Sequence, residues 1–248
     1  MSFLKLTVAY DGTGYAGWQI QPASPTIQGA LAQAWLRITG EEPNFSASGR
    51  TDAGVHAEAQ IVGVETQSTL SPWRLRKGLN AVLPEDIVVR LVEPAPTGFH
   101  ATYDALRKTY RYQLHDGPAP PLFDRRYVWW WRAGRLDDLQ MGQGGERFVG
   151  RHDFVSLQSL GSDRSTTVRT ISNLSVTRTG DRLDITVTGD GFLYNMVRTI
   201  AGTLVEVGRG SKPPEWIAEV LAARDRSAAG PTAPAEGLVL ASVEYQTA

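Results

Sequence analysis

Ile171-Ser172-Asn173-Leu174-Ser175-Val176-Thr177-Arg178-Thr179, then Gly180-Asp181, then Leu183-Asp184-Ile185-Thr186-Val187-Thr188, is the stretch that decides the fold class. Apolar residues alternate with polar ones on both sides of the Gly-Asp step, and that period of two belongs to half-buried strands. A two-residue turn of this composition between two such runs specifies an antiparallel hairpin. One face of that hairpin is apolar and needs a cover, so helices should pack on it.

The cover is legible on both sides. Downstream, residues 192–207 read as a helix with Val197, Ile200, Leu204 and Val207 as its apolar stripe and Gly208 as its stop. Pro213-Pro214 opens a further helix through Ala223, and residues 238–245 form a closing strand. Upstream, residues 136–147 form a helix weakened by three glycines, residues 127–131 an aromatic strand and residues 108–114 another strand. The first part of the chain has a comparable rhythm. Residues 3–10 alternate as a strand ending at Asp11-Gly12, and Thr26 caps a helix that Gly40 stops. Residues 57–66 are a strand, Ser71-Pro72 starts a short helix to about residue 79, and residues 87–92 are a strand. The expected fold is α+β, with two related halves, 1–104 and 105–248, sharing a mostly antiparallel central sheet with helices packed on one face.

Composition bounds the chemistry. The 248 residues include no cysteine, which excludes disulfides, thiolate nucleophiles and cysteine-ligated metal. No apolar run approaches membrane-spanning length, and the N-terminus lacks the pattern of a signal peptide, so a cytoplasmic protein is expected. The formal net charge of −1 offers no global attraction to a polyanion. The average hides a bias: residues 100–135 carry seven Lys+Arg against three Asp, interleaved with Tyr103, Tyr110, Tyr112, Phe123, Tyr127 and Trp129-Trp130-Trp131. Such interleaving suits nucleotides, whose phosphates need charge and whose bases need stacking faces. It equally suits a packed sheet with a charged outer face.

Gly12-Thr13-Gly14-Tyr15-Ala16-Gly17 matches the spacing of a dinucleotide-binding turn. That mechanism needs a helix to begin at once and hold the pyrophosphate. Trp18-Gln19-Ile20-Gln21-Pro22 follows instead, so a glycine-rich turn displaying Tyr15 and Trp18 is the better reading. In Ser48-Gly49-Arg50-Thr51-Asp52-Ala53-Gly54-Val55-His56-Ala57 a single carboxylate stands among small residues. Two readings fit Asp52: a nucleophile or general base on an accessible loop, or an Asx-turn that merely caps the chain. Asp52 and His56 alone do not complete a metal-ligand set. Arg198 lies beside the apolar stripe of its helix and should be half-buried, with need of a carboxylate partner.

Taken together, Tyr10-Asp11-Gly12-Thr13-Gly14-Tyr15, Gly17-Trp18-Gln19, the segment from Gly49 to Ala57, Lys108-Thr109-Tyr110-Arg111-Tyr112, Asn195-Met196-Val197-Arg198 and Glu236-Gly237-Leu238-Val239-Leu240 resemble the tRNA pseudouridine synthase A family. The stretches run in the family's order over nearly the whole chain, and Gly-Arg-Thr-Asp-Ala-Gly-Val-His-Ala is the most specific. Lys108 stands where Arg is also common. The resemblance implies the pseudouridine synthase fold and isomerisation of uridine to pseudouridine at positions 38, 39 and 40 of the tRNA anticodon stem-loop. It implies a homodimer, no metal and no nucleotide or other cofactor. It makes Asp52 the catalytic carboxylate, Tyr110 the aromatic that stacks on the target base and a candidate catalytic base, and Arg198 the ion-pair partner of Asp52. Arg50 becomes a candidate for the space left by the flipped nucleotide, and Leu240, or Leu238, a wall of the base pocket. His56 is a further candidate substrate contact.

Overall fold

The computed structural model describes residues 1–159 and 166–246. The elements run β1 (Ser2–Tyr10), α1 (Ile27–Thr39), β2 (Ser46–Ala47), β3 (His56–Thr66), α2 (Pro72–Val82), β4 (Ile87–Ala95), β5 (Ala105–His115), β6 (Trp129–Trp130), α3 (Asp138–Glu146), β7 (Gly150–Asp153), β8 (Val168–Thr179), β9 (Arg182–Gly189), α4 (Met196–Gly208), α5 (Trp216–Ala223) and β10 (Leu238–Tyr245). The class is α+β, as the hairpin and its flanking helices require. The chain packs as two compact units, Met1–Leu106 with Val239–Ala248, and Arg107–Leu238. The closing strand therefore lies with the first unit, whereas a division at 104/105 keeps it with the second.

In the first unit the strands lie in the order β4-β1-β3-β10. β1 is antiparallel to both neighbours, from Ser2↔Thr66 to Tyr10↔Ala57 on β3 and from Phe3↔Ala95 to Tyr10↔Ile87 on β4. Its register slips between Val8 and Tyr10, a bulge at the strand end that leads into the Asp11-Gly12 turn. β10 runs parallel to β3, with Val239 opposite His56 and Leu240 opposite Ala57. Leu4, Leu6, Val8 and Tyr10 are all buried, which gives the sheet its apolar face. α1 covers apolar surface with Ile27, Leu31, Ala34 and Trp35. Its ends are set as the sequence dictates: Thr26 accepts from the Gly29 amide and Gly40 takes φ +77 as the C-cap. α2 starts at Ser71-Pro72 as read, and continues three residues past the expected end to Val82.

The second unit orders its strands β5-β9-β8-β7, all antiparallel, with the two-residue β6 added in parallel to β5. The deciding hairpin closes at Thr179↔Arg182, with Gly180 at φ +61. Leu183, Ile185 and Val187 are buried on one face of β9. Three elements depart from expectation. The aromatic strand shrinks to Trp129–Trp130, because the Tyr127 amide bonds the Asp124 carbonyl in a turn. α4 begins at Met196, not at 192, because Asn195 adopts a left-handed backbone at φ 60 and no helix propagates through it. β7 carries no alternating apolar pattern, so nothing local announced it.

One buried ion cluster ties β5, α3 and β8. Arg178 grips the Asp116 carboxylate with two bonds of 3.0 Å, the Asp138 carboxylate at 2.5 Å and the Leu136 carbonyl at 2.6 Å. The Leu136 amide donates to Asp116 at 2.9 Å. Burial pushes the Asp116 carboxyl up, but the Arg178 guanidinium and the Leu136 amide outweigh it and hold the group below the ordinary carboxylate range.

Candidate active site

Within the first unit, the Asp52 loop is clamped from two directions. At its entry, Ser48 bonds the Gln60 side chain, whose amide donates to the Gly49 carbonyl at 2.6 Å. At its centre, the Tyr10 and Thr51 hydroxyls are 2.8 Å apart, and the Trp18 amide donates to the Thr51 carbonyl at 3.0 Å. Beyond Asp52 the Val55 amide closes a turn on the Asp52 backbone carbonyl at 3.1 Å, with Gly54 at φ +78 in the third position. The Gly54 amide donates to the Tyr15 carbonyl at 3.4 Å. The two amides that an Asx-type cap would recruit are thus engaged by backbone carbonyls.

The glycine-rich turn is the floor of this loop. A β-carbon at Gly12 would sit 2.0 Å from the Val55 carbonyl oxygen, and one at Gly17 2.7 Å from that of Thr51. Gly17 also takes φ +98. Gly14 has open space around it. The pattern that mimics a dinucleotide turn therefore permits two backbones to touch. Trp18 is buried against Tyr10, at 6.2 Å between rings, while Tyr15 bonds Asp86 at 2.6 Å. Burial, and then Asp86, push the Tyr15 hydroxyl pKa up.

The other candidates of this unit flank the loop. Arg50 is exposed and Asp52 half-buried. His56 is buried, with Nδ1 accepting from the Gly12 amide at 3.0 Å and lying 3.2 Å from the Asp11 carboxylate. Leu240 is buried on β10 beside Ala57.

The second unit holds Tyr110, Arg198 and Leu238. Tyr110 is buried on β5 opposite Val187, with the Phe192 ring edge-on at 5.1 Å. Arg198 is half-buried, as its place beside the apolar stripe requires. Its Nε donates to the Ala233 carbonyl at 2.7 Å and a terminal nitrogen donates to Asn195 Oδ1 at 2.8 Å. Asn195 in turn donates to Ser159 at 3.0 Å. The Ala233 carbonyl arrives because residues 230–233 lie directly on α4: a β-carbon at Gly202 would be 1.8 Å from the Pro231 carbonyl oxygen. Arg226 braces the same segment through the Gly230 carbonyl, at 2.9 Å, and Thr232, at 3.0 Å. The Tyr112 hydroxyl donates to the Pro234 carbonyl at 2.8 Å, and burial pushes its pKa well up. Leu238 is buried.

The profile of the family described as tRNA pseudouridine synthase matches residues 6–104 and 146–246, which take in the Asp52 loop and Arg198. The chain belongs to this family. The tRNA pseudouridine synthase A of Moorella thermoacetica is 48% identical over 248 residues, covering 99% of this chain and 100% of that one. The tRNA pseudouridine synthase A of Brevibacillus brevis is 45% identical over 245 residues, with 99% and 100% covered. Among solved structures, a Cbf5-Nop10-Gar1 complex aligns loosely, at 16% identity and TM-score 0.39 over 82% of this chain and 45% of that one.

As a tRNA pseudouridine synthase the protein is an isomerase acting on tRNA uridine. Among the described residues, no group of three or more His, Asp or Glu side chains is placed to hold a metal ion, and no helix is long and apolar enough to cross a membrane. The sequence points to Arg198 but not to its supports. Asn195 was visible only as a neighbour of Arg198, and a backbone carbonyl such as that of Ala233 has no signature of its own. The glycine floor yields a direct test. Gly12→Ala should displace the Asp52 loop and lower turnover by about 100-fold, the cost of roughly 1 Å of misplacement. Gly14→Ala, facing open space, should leave turnover at the wild-type level. Equal rates for the two variants would refute the floor role.

Proposed function

We propose that the enzyme converts uridine to pseudouridine at positions 38, 39 and 40 in the anticodon stem-loop of tRNA, with Asp52 as the catalytic carboxylate. Supporting this is the loop itself: the Thr51 and Asp52 carbonyls and the Gly54 and Val55 amides are all bonded, so the backbone that carries the carboxylate is held in place. Catalysis needs such preorganisation, because a group held near its attack position has already lost its orientational freedom.

The reaction breaks the N1–C1′ glycosidic bond, turns the uracil and joins C5 to C1′. The C5 hydrogen leaves as a proton and N1 gains one, so atoms balance without an added reagent. In this reading Arg198 offsets the desolvation of the Asp52 anion, and Tyr110 stacks on the flipped base. Flipping costs a few kcal/mol, and stacking contributes about 1–3 kcal/mol. Arg50 fills the space the nucleotide vacates, Leu240 or Leu238 walls the base, and His56 supports the substrate side of the loop. The enzyme acts in the cytoplasm as a homodimer, which should elute at twice the 27.1 kDa of one chain; a monomer at micromolar concentration would remove that part.

The test is tritium release from tRNA labelled at uracil C5, with no metal or nucleotide added. Transcripts should each release label when their only uridine in the anticodon arm stands at 38, 39 or 40. Release from none of the three, with release from uridines elsewhere, would refute the positional assignment. A non-catalytic RNA-binding protein would bind the transcripts and release nothing. Tyr110→Phe should keep turnover within about tenfold if the ring only stacks. A drop of the 10²–10⁴-fold typical of a lost proton-transfer group would instead make its hydroxyl a participant.

A further inference from the structure

A basic groove of about 540 Å³ lies on the first unit between α2 and β4, lined by Trp73, Arg76, Lys77, Asn80, Val88 and Arg90 among others. No carboxylate lines it. Arg74 adds a fourth cation from the exposed side of α2. Among the described residues none of these four cations has an ion-pair partner, whereas two of the three arginines of the groove beside α5, Arg147 and Arg224, are paired with Glu215 and Asp153. Trp73 is 59% exposed, with the Lys77 ammonium 5.2 Å from its ring.

The chemistry of the groove narrows the occupant. It does not accept an added strand at its centre, because Asn80 already bonds both the amide and the carbonyl of Val89 at 2.8 Å and Arg76 takes the Arg90 carbonyl at 3.2 Å. A second copy docked by a two-fold axis would set these cations against themselves. Unpaired cations around an exposed indole fit a phosphate backbone with an unstacked base. The groove also lies near the candidate catalytic loop within the same unit. Ile87 is opposite Tyr10, the Asp11 amide donates to the Asp86 carbonyl at 2.9 Å, and Arg90 is three residues beyond Ile87. That is roughly 10 Å of strand from the end of β1, whose Tyr10 hydroxyl lies 2.8 Å from that of Thr51 in the loop.

We propose that this groove is a second contact for the substrate tRNA, with Arg74, Lys77 and Arg90 on phosphates and Trp73 against a base. The proposal deepens the reading above, since it rests on tRNA being the substrate. The test is the dissociation constant of an unmodified tRNA transcript across a salt series, for Arg74→Gln/Lys77→Gln/Arg90→Gln together and for Trp73→Ala alone. The triple variant leaves the Arg76 and Asn80 bonds to β4 in place. It should weaken binding about tenfold and flatten the log–log salt slope by about 2 to 3, at 0.7–0.9 per lost contact. Trp73→Ala should weaken binding with the slope unchanged. A wild-type constant and slope in both variants would overturn the proposal. So would weaker binding that appears only where gel filtration shows the oligomer has dissociated, since the groove would then join copies of the chain. Wild-type protein that binds tRNA but isomerises no uridine would refute the catalytic reading and leave the binding comparison to judge the groove.

Discussion

Asp52→Asn should abolish tritium release, with a loss on the order of 10⁴-fold or more, the scale seen when the central member of a catalytic set is removed. The substitution keeps the shape and removes the charge. The backbone turn at 52–55 and the Thr51 contacts do not involve the side-chain oxygens, so the loop should stay folded. Binding of tRNA should persist, because phosphate contacts dominate affinity. The measurement is release from C5-labelled tRNA beside a binding isotherm for the same variant. Full-rate release by Asp52→Asn would refute the mechanism. Loss of both release and binding, with an intact fold, would make Asp52 a binding residue instead.

The second large effect is on stability. Arg178→Met should destabilise the protein by about 3–5 kcal/mol, since it leaves the buried Asp116 carboxylate without its bidentate partner and with only the exposed Arg135 at 4.0 Å. At this chain length that corresponds to a drop of about 6–20 °C in melting temperature. Asp116→Asn with Arg178→Met should recover much of the loss, because the expensive state is the half-broken pair. The pH dependence follows from the sign of the shift. Asp116 has a folded-state pKa below its unfolded value. Its stabilisation is therefore complete above the ordinary carboxylate range and is lost as pH falls through the lowered value. Arg178→Met should remove that component of acid sensitivity. A melting temperature within 2 °C of wild type, by the same scaling, would show that the cluster is stabilised by other means.

Much of the fold was legible because it is encoded locally. The Thr26 and Ser71 caps, the Gly40 stop and the Gly180 turn are each decided within about four residues, by one hydrogen bond or one sterically special backbone angle. Where local signals are weaker, the structure departs from the pattern of the sequence. The run of three tryptophans has the composition of a strand, yet the strand is only Trp129–Trp130, because the residues before it close a turn with the Tyr127 amide on the Asp124 carbonyl. The N-terminal limit of α4 moved by four residues because one Asn took a left-handed conformation that its neighbours do not announce.

By itself the sequence determined the α+β class, most of the caps and turns, and the motif around Asp52 that marks the family. Tertiary structure alone decided what the glycines at 12 and 17 are for, since their close contacts lie 34 to 43 residues away at Val55 and Thr51. It also decided that Arg178 would meet Asp116, and that Arg76 and Lys77 would share a groove with Arg90 while the net charge stayed at −1. The physical reason is the same throughout. Caps and turns depend on sterics and hydrogen bonds between near neighbours, which a sequence displays directly. Close backbone approach and charge clustering depend on which distant segments pack together, and that is settled only when the apolar faces of sheet and helix are buried.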